Sequence, residues 1–120
     1  MIPPHSSAEP AVAFQGELGA YSYEALQAFF GPAARAVPCR DFDTVGRRVM
    51  AGEVAYGLLP IENSLAGSVI PSYDVLGAND LEVIGEVVWP IHHCVLAVAG
   101  ARLDQIRRVI SIRWLSLIHI

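Results

Sequence analysis

At 120 residues the chain suffices for one domain at the small end of the usual range, long enough to bury roughly two thirds of its unfolded surface. Apolar residues make up 53% and charged residues 17%, which excludes a disordered chain and leaves apolar surface for another domain or subunit to cover. Net charge is −4 with no lysine and no basic run, so the clustered cations that nucleic-acid binding requires are missing.

In chain order, Met1-Ile2-Pro3-Pro4-His5-Ser6-Ser7 has neither a basic start nor an apolar stretch. It reads as no secretory signal, which predicts a cytoplasmic protein with a disordered lead-in over residues 1–10. Ala11-Val12-Ala13-Phe14 is a compact apolar run and predicts a first strand. Gln15 to Ser22 is a glycine-punctuated turn, and residues 23–30 show helical spacing, with Leu26 and Phe30 four apart. Gly31-Pro32 closes that helix, glycine after its last turn and proline unable to continue it. Strand, glycine turn and helix make the opening half of a βαβ unit. Gly16-x-x-Gly19 either turns backbone amides at the helix N-terminus toward an anion or is a plain tight turn. It is not the Gly-x-Gly-x-x-Gly dinucleotide fingerprint.

Ala36-Val37-Pro38-Cys39 predicts a second strand whose proline suits an end or an edge. Asp43 is placed to cap a helix through Val45, Val49 and Met50, closed by Gly52, with Arg47 and Arg48 on its solvated face. Residues 55–59 predict a third, buried strand. After a polar loop, residues 69–76 predict a short helix with Pro71 in its first turn, where a missing N–H costs little. Residues 77–80 are a loop, residues 81–89 and 94–98 predict strands, and residues 102–109 predict a helix with Leu103, Ile106 and Ile110 on one side. A further strand starts at Val109-Ile110-Ser111. The alternation predicts an α/β fold with a largely parallel sheet.

The longest uncharged run, residues 87–101, is shorter than the ~18 apolar residues of a membrane span and contains Pro90, His92 and His93. Cys39 and Cys94 are too few and too far apart for a disulfide framework or a metal site, and read as buried free thiols. His92 and His93 lack a third ligand at matched spacing. They read as structural or substrate-positioning residues.

The most informative stretch is Pro60-Ile61-Glu62-Asn63-Ser64-Leu65-Ala66-Gly67-Ser68-Val69. It follows a strand and precedes a helix, the position from which open α/β sheets present ligand-binding groups. Glu62, Asn63, Ser64 and Ser68 supply acceptors, amide donors and hydroxyls, and Gly67 removes a side chain where backbone could approach a ligand. The other reading is an ordinary strand-to-helix loop whose polar residues satisfy turns and caps.

Four motifs in order carry a resemblance over residues 11–111. They are Gln15-Gly16-Glu17-x-Gly19-Ala20-Tyr21-Ser22-x-x-Ala25, Gly57-Leu58-Leu59-Pro60-Ile61-Glu62-Asn63-Ser64-x-x-Gly67-x-Val69, Gly85-Glu86 with Pro90-Ile91-His92-His93-Cys94-Val95-Leu96, and the run to Ser111. Together they resemble the prephenate dehydratase family. The resemblance implies a carbon–oxygen lyase that converts prephenate to phenylpyruvate, with loss of water and carbon dioxide, in phenylalanine biosynthesis. It implies a fold like a type II periplasmic binding protein, of which this chain would hold most of the first lobe and the start of the second. It implies no metal or organic cofactor, a homo-oligomer when complete, and phenylalanine feedback through an ACT domain that follows in fuller members.

On the family pattern, Glu62, Asn63 and Ser64 line the cleft as catalytic residues, and Asn63, Ser64, Gly67, His92 and Ser111 bind substrate. Neutral donors and helix N-termini suit a dianion, whereas Glu62 would repel it unless paired or used to fix neighbouring donors. The sequence departs from the pattern after Ser111. Residues 112–120 lack the family's His-Pro and glutamine-containing run, and the Thr-Arg-Phe/Tyr motif with its catalytic threonine is absent. This predicts a partial domain over residues 11–111 followed by a frameshift or assembly product, and no turnover by the chain alone. Resequencing across codon 111 checks the first. An arogenate dehydratase shares the same motifs, and a non-catalytic binding module of periplasmic-binding-protein type is the remaining alternative.

Overall fold

The computed structural model describes residues 9–111. Three parallel strands, β1 (Ala11–Gln15), β2 (Arg35–Cys39) and β3 (Tyr56–Leu58), form a sheet in the order β2-β1-β3. Val12 lies opposite Ala36 on one side and Tyr56 on the other. The central strand is the apolar run read from the sequence, and Val12, Ala13 and Phe14 are all fully buried. A central parallel strand is covered on both faces, so it needs apolar side chains in both directions. β2 lies at an edge, where exposed Pro38 removes no ladder donor that a further strand would need.

Alternation along β1 divides the core in two. Val12 and Phe14 pack with Leu26 and Ala34, with Tyr23, Phe30, Tyr56 and Leu58 against them, on the side of helix α1 (Tyr21–Phe30). Ala13 packs with Cys39, Val45 and Val54 on the side of helix α2 (Phe42–Met50). Helices on opposite faces are what connections running in opposite directions from β1 require, given right-handed crossovers. The α1 connection leads from β1 to its neighbour β2, and the α2 connection crosses from β2 past β1 to β3.

The N-cap of α2 is Asp41 and not Asp43. Its Oδ1 accepts from Thr44 N at 2.8 Å and from the Thr44 hydroxyl at 2.6 Å. Both aspartates precede the apolar periodicity, but only Asp41 has the extended backbone a cap requires, whereas Asp43 sits in the first turn. The hydrogen bonds from Thr44, helped by Arg40 beside it, hold the Asp41 carboxyl below its ordinary value of 3.8. Its contribution to stability is therefore whole above the unfolded value and is lost as pH falls through the lowered one. Acid titrations of unfolding should show a loss below about pH 4 that is smaller in Asp41→Asn, which caps without ionising.

A third helix, α3 (Ile70–Ala78), packs on α2 with Pro71 in its first turn, as its sequence predicts. The crossing is close because of Gly46. A Cβ there would lie 2.6 Å from Val75 Cγ1, below any ordinary contact. Alanine at Gly46 gains about 1 kcal/mol of helix propensity, yet overpacking against a stiff β-branched side chain costs about 1–3 kcal/mol. Gly46→Ala should therefore be destabilising in urea titrations, and Val75→Ala on that background should recover part of the loss.

Several elements predicted from the sequence do not form. β3 is a half-buried edge strand, shorter than residues 55–59, because nothing among the described residues pairs with its outer side. Residues 81–89 and 94–98 form no regular element and join no sheet, and residues 102–109 contain one 3₁₀ turn, Leu103–Gln105. A strand needs a neighbour for its backbone groups, and an eight-residue helix needs a surface on which to bury its apolar side. Among the described residues neither is supplied: Val88, Leu96, Val98 and Ile110 are each more than four-fifths exposed. Cys94 is consequently exposed, whereas Cys39 is buried as expected, and burial pushes its thiol upward. The strand start at residues 109–111 is likewise exposed coil. The predicted tail, residues 112–120, and most of the predicted lead-in lie outside the described residues.

Candidate functional site

The strand order reverses direction at β1: the chain steps first to β2 on one side and then to β3 on the other. In parallel sheets the crevice at such a reversal, beyond the carboxyl ends of the strands, is where ligands bind. Two loops flank it, residues 16–20 after β1 and residues 59–69 after β3.

The first loop turns on Gly16 and Gly19, whose φ values of +120° and +91° suit residues without a Cβ. Gly16 N donates to Cys39 O at 3.0 Å, and Ala20 N to Glu17 O at 3.1 Å. The helix then starts at Tyr21 with Ala20 at the N-cap, and no side chain caps it. α3 also begins without a side-chain cap, after Val69. α2, whose start is held by Asp41, is the contrast. The N-termini of α1 and α3 thus keep first-turn amides with no side-chain acceptor, the condition under which a helix start attracts an anion.

The second loop is more ordered than its sequence suggests. Glu62–Asn63 (β4) and Gly67–Ser68 (β5) pair antiparallel, Glu62 opposite Ser68 and Asn63 opposite Gly67. The three residues between them turn on the Asn63 side chain: its Oδ1 accepts from Leu65 N and Ala66 N, both at 2.9 Å. Gly67 takes φ +80°, and a Cβ there would meet open space. Its glycine is required by backbone conformation, as in hairpins with a left-handed residue after a short turn. Val69 N donates to Ile61 O at 2.9 Å and closes the base.

The structure brings Glu62, Asn63, Ser64 and Gly67 together on one hairpin, exposed except for half-buried Asn63. The carbonyl of Asn63 is committed to the turn, while its Nδ2 has no partner among the described residues. Among those residues no cation pairs with Glu62. His92 reaches the head of α1 through its backbone, for the Tyr21 hydroxyl donates to His92 O. Ser111 is exposed, in coil beyond the 3₁₀ turn. An open hollow lined by Arg102, Leu103 and Asp104 includes none of the candidate residues. Among the described residues no group of three or more His, Cys, Asp or Glu side chains converges to hold a metal ion, and no helix is long and apolar enough to cross a membrane.

Sequence reasoning missed Tyr21, Glu24 and Trp89, which join residues 81–93 to α1. It also missed the uncapped helix starts, although alanine at position 20 and valine at position 69, both poor caps, were a legible signal.

Known proteins resemble this sequence. The prephenate dehydratase family model matches residues 12–114, past Ser111. Arogenate dehydratase/prephenate dehydratase 2, chloroplastic, of Arabidopsis thaliana is 44% identical over 100 residues, 83% of this chain and 26% of the relative. Arogenate dehydratase 5, chloroplastic, of Arabidopsis thaliana is 46% identical over 83% of this chain and 23% of the relative. Arogenate dehydratase 2 of Petunia hybrida is 44% identical over 83% of this chain and 25% of the relative. The chain thus spans about a quarter of the length of these relatives. No solved structure matches it significantly. With the family model covering most of its length and two of its four motifs flanking the reversal of a parallel sheet, this chain belongs to the prephenate dehydratase family.

Proposed function

We propose that this chain supplies the first part of the substrate site of a dehydratase that converts prephenate to phenylpyruvate in phenylalanine biosynthesis. The observation that carries this reading is the Glu62–Ser68 hairpin, which follows β3 and runs into the uncapped start of α3, with the uncapped start of α1 following the neighbouring strand β1, in a chain of this family. Prephenate is a dianion whose ring becomes aromatic once carbon dioxide and the C4 hydroxyl leave, so the driving force lies in the substrate. The protein has to hold two carboxylates and help the hydroxyl depart. Uncapped helix starts suit the carboxylates, and a hydroxyl or other acid suits the leaving group. Asn63 Nδ2 and the Ser64 hydroxyl are the donors we assign to binding and orientation. Gly67 lets the hairpin backbone approach, and His92 and Ser111 complete the substrate-binding set. Glu62 is assigned to fixing neighbouring donors, because a free carboxylate repels a dianion.

The reading extends to the complete protein: a domain like a type II periplasmic binding protein with residues 11–111 in its first part, a homo-oligomer, and phenylalanine feedback through an ACT domain. It includes a cytoplasmic location, although the Arabidopsis relatives carry "chloroplastic" in their names. A second reading, arogenate as substrate, is favoured by the names of several relatives. One experiment tests both. Residues 11–111 are joined to the remaining part of the Arabidopsis arogenate dehydratase/prephenate dehydratase 2, and the chimaera is assayed with each acid. Phenylpyruvate from prephenate supports the first reading, and phenylalanine from arogenate alone supports the second. A folded chimaera inert toward both, while the parent plant enzyme is active, rejects the site.

A further inference from the structure

Residues 81–93 have no strand partner among the described residues, yet they are not adrift from the core. Three contacts lay them along α1 in antiparallel order. Gly85 lies against Phe29, where a Cβ would come within 2.8 Å of the ring atom Cζ. Trp89 Nε1 donates to Glu24 Oε2 at 3.0 Å. The Tyr21 hydroxyl donates to the His92 carbonyl. Tyr21 and Glu24 are three residues apart and so share one side of the helix. Side chains of α1 thus do for this segment what a ladder of backbone bonds does for a strand.

We propose that Tyr21 and Glu24 are positioning residues, a two-point clasp that straps residues 85–92 to α1 and thereby holds His92 and His93 at the head of that helix. The clasp fastens a segment that joins no sheet, so its state governs where the residues that follow it stand relative to the Gly16–Gly19 turn. Each point of the clasp is a single exposed hydrogen bond, so the strap is held lightly enough to be lifted. Gly85 permits the close seat on Phe29 that a side chain would prevent. This role is independent of which acid the family site takes.

The test uses the whole chain with a nitroxide on exposed Cys94, buried Cys39 being protected from the reagent. Paramagnetic broadening of the amides of residues 16–24 is expected in the parent chain. It should be lost in Tyr21→Phe/Glu24→Ala, and also in Trp89→Phe, which leaves α1 untouched. Glu24→Gln should retain it, because the amide oxygen still accepts the indole proton. The Trp89 indole N–H should exchange with solvent faster in Glu24→Ala and not in Glu24→Gln. Broadening absent in the parent chain, or unchanged in both the double variant and Trp89→Phe, would overturn the proposal. Preserved β1 resonances separate strap release from unfolding.

Discussion

Phe14→Ala is expected to cost about 3–5 kcal/mol, the largest single loss of stability in the chain. Phe14 is fully buried on the central strand and packs against Leu26, Ala34 and the Tyr23 ring, whose centroid lies 6.1 Å away. Removing the ring leaves a cavity with fixed walls. Leu26 is held by the hydrogen bonds of α1, and Val12 by ladders on both sides of β1. Walls of this kind relax little, so the cavity contributes in full beyond the lost transfer free energy.

The loss is decisive because the core is small. Domains are stable by about 5–15 kcal/mol in all, and among the described residues ten hydrophobic side chains are buried. Urea unfolding followed by circular dichroism should show a midpoint displaced strongly downward at unchanged slope, or a chain unfolded in buffer. Phe14→Leu should cost clearly less, since it keeps most of the apolar contact. A loss below about 1 kcal/mol for Phe14→Ala would mean that the ring is not the centre of the α1-side core.

How far the sequence betrayed this fold follows from where each element finds its partners. The run Ala11-Val12-Ala13-Phe14 announced a strand, and Gly31-Pro32 announced a helix end, because both signals are local and strong. The proline of β2 pointed to an edge, where it stands. The segment after Asp80 misled for the opposite reason. Its alternation is a true strand pattern, but the cover it meets is partial: Ile84 and Val87 are half-buried while Val83 and Val88 stay exposed. Pattern records what a segment could bury, and the described residues do not supply the burying surface.

The candidate site was legible in part. Position after β3 and the density of polar groups singled out Glu62, Asn63 and Ser64. The hairpin that presents them was not foreseen, because its two-residue strands are polar and their pairing rests on one side-chain turn, Asn63 to Leu65 and Ala66. Both readings of the loop therefore meet in one residue: Asn63 satisfies the turn with its oxygen, while its nitrogen has no partner among the described residues.

That division makes Asn63 the place where structure and chemistry can be separated. In the chimaera described above, Asn63→Ala should lose about 2–4 kcal/mol of transition-state stabilisation, the scale for one donor to a charged substrate. Alanine also removes the acceptor that holds Leu65 N and Ala66 N, so this variant alone would confound donor with turn. Asn63→Asp resolves the two. A carboxylate oxygen can still accept both amides, so the hairpin should persist and the thermal midpoint should move little. The Nδ2 donor is gone, and a negative charge faces a dianion. kcat/KM should therefore fall at least as far as in the alanine variant, by about 10²–10³-fold or more. A fall that eases as pH drops and the new carboxyl protonates would show that charge repulsion contributes. Were Asn63 only a turn residue, the order would invert: aspartate would be nearly neutral and alanine harmful to fold and rate alike. Measuring kcat/KM and midpoint on the same two variants therefore decides whether the hairpin binds the substrate or merely closes the loop.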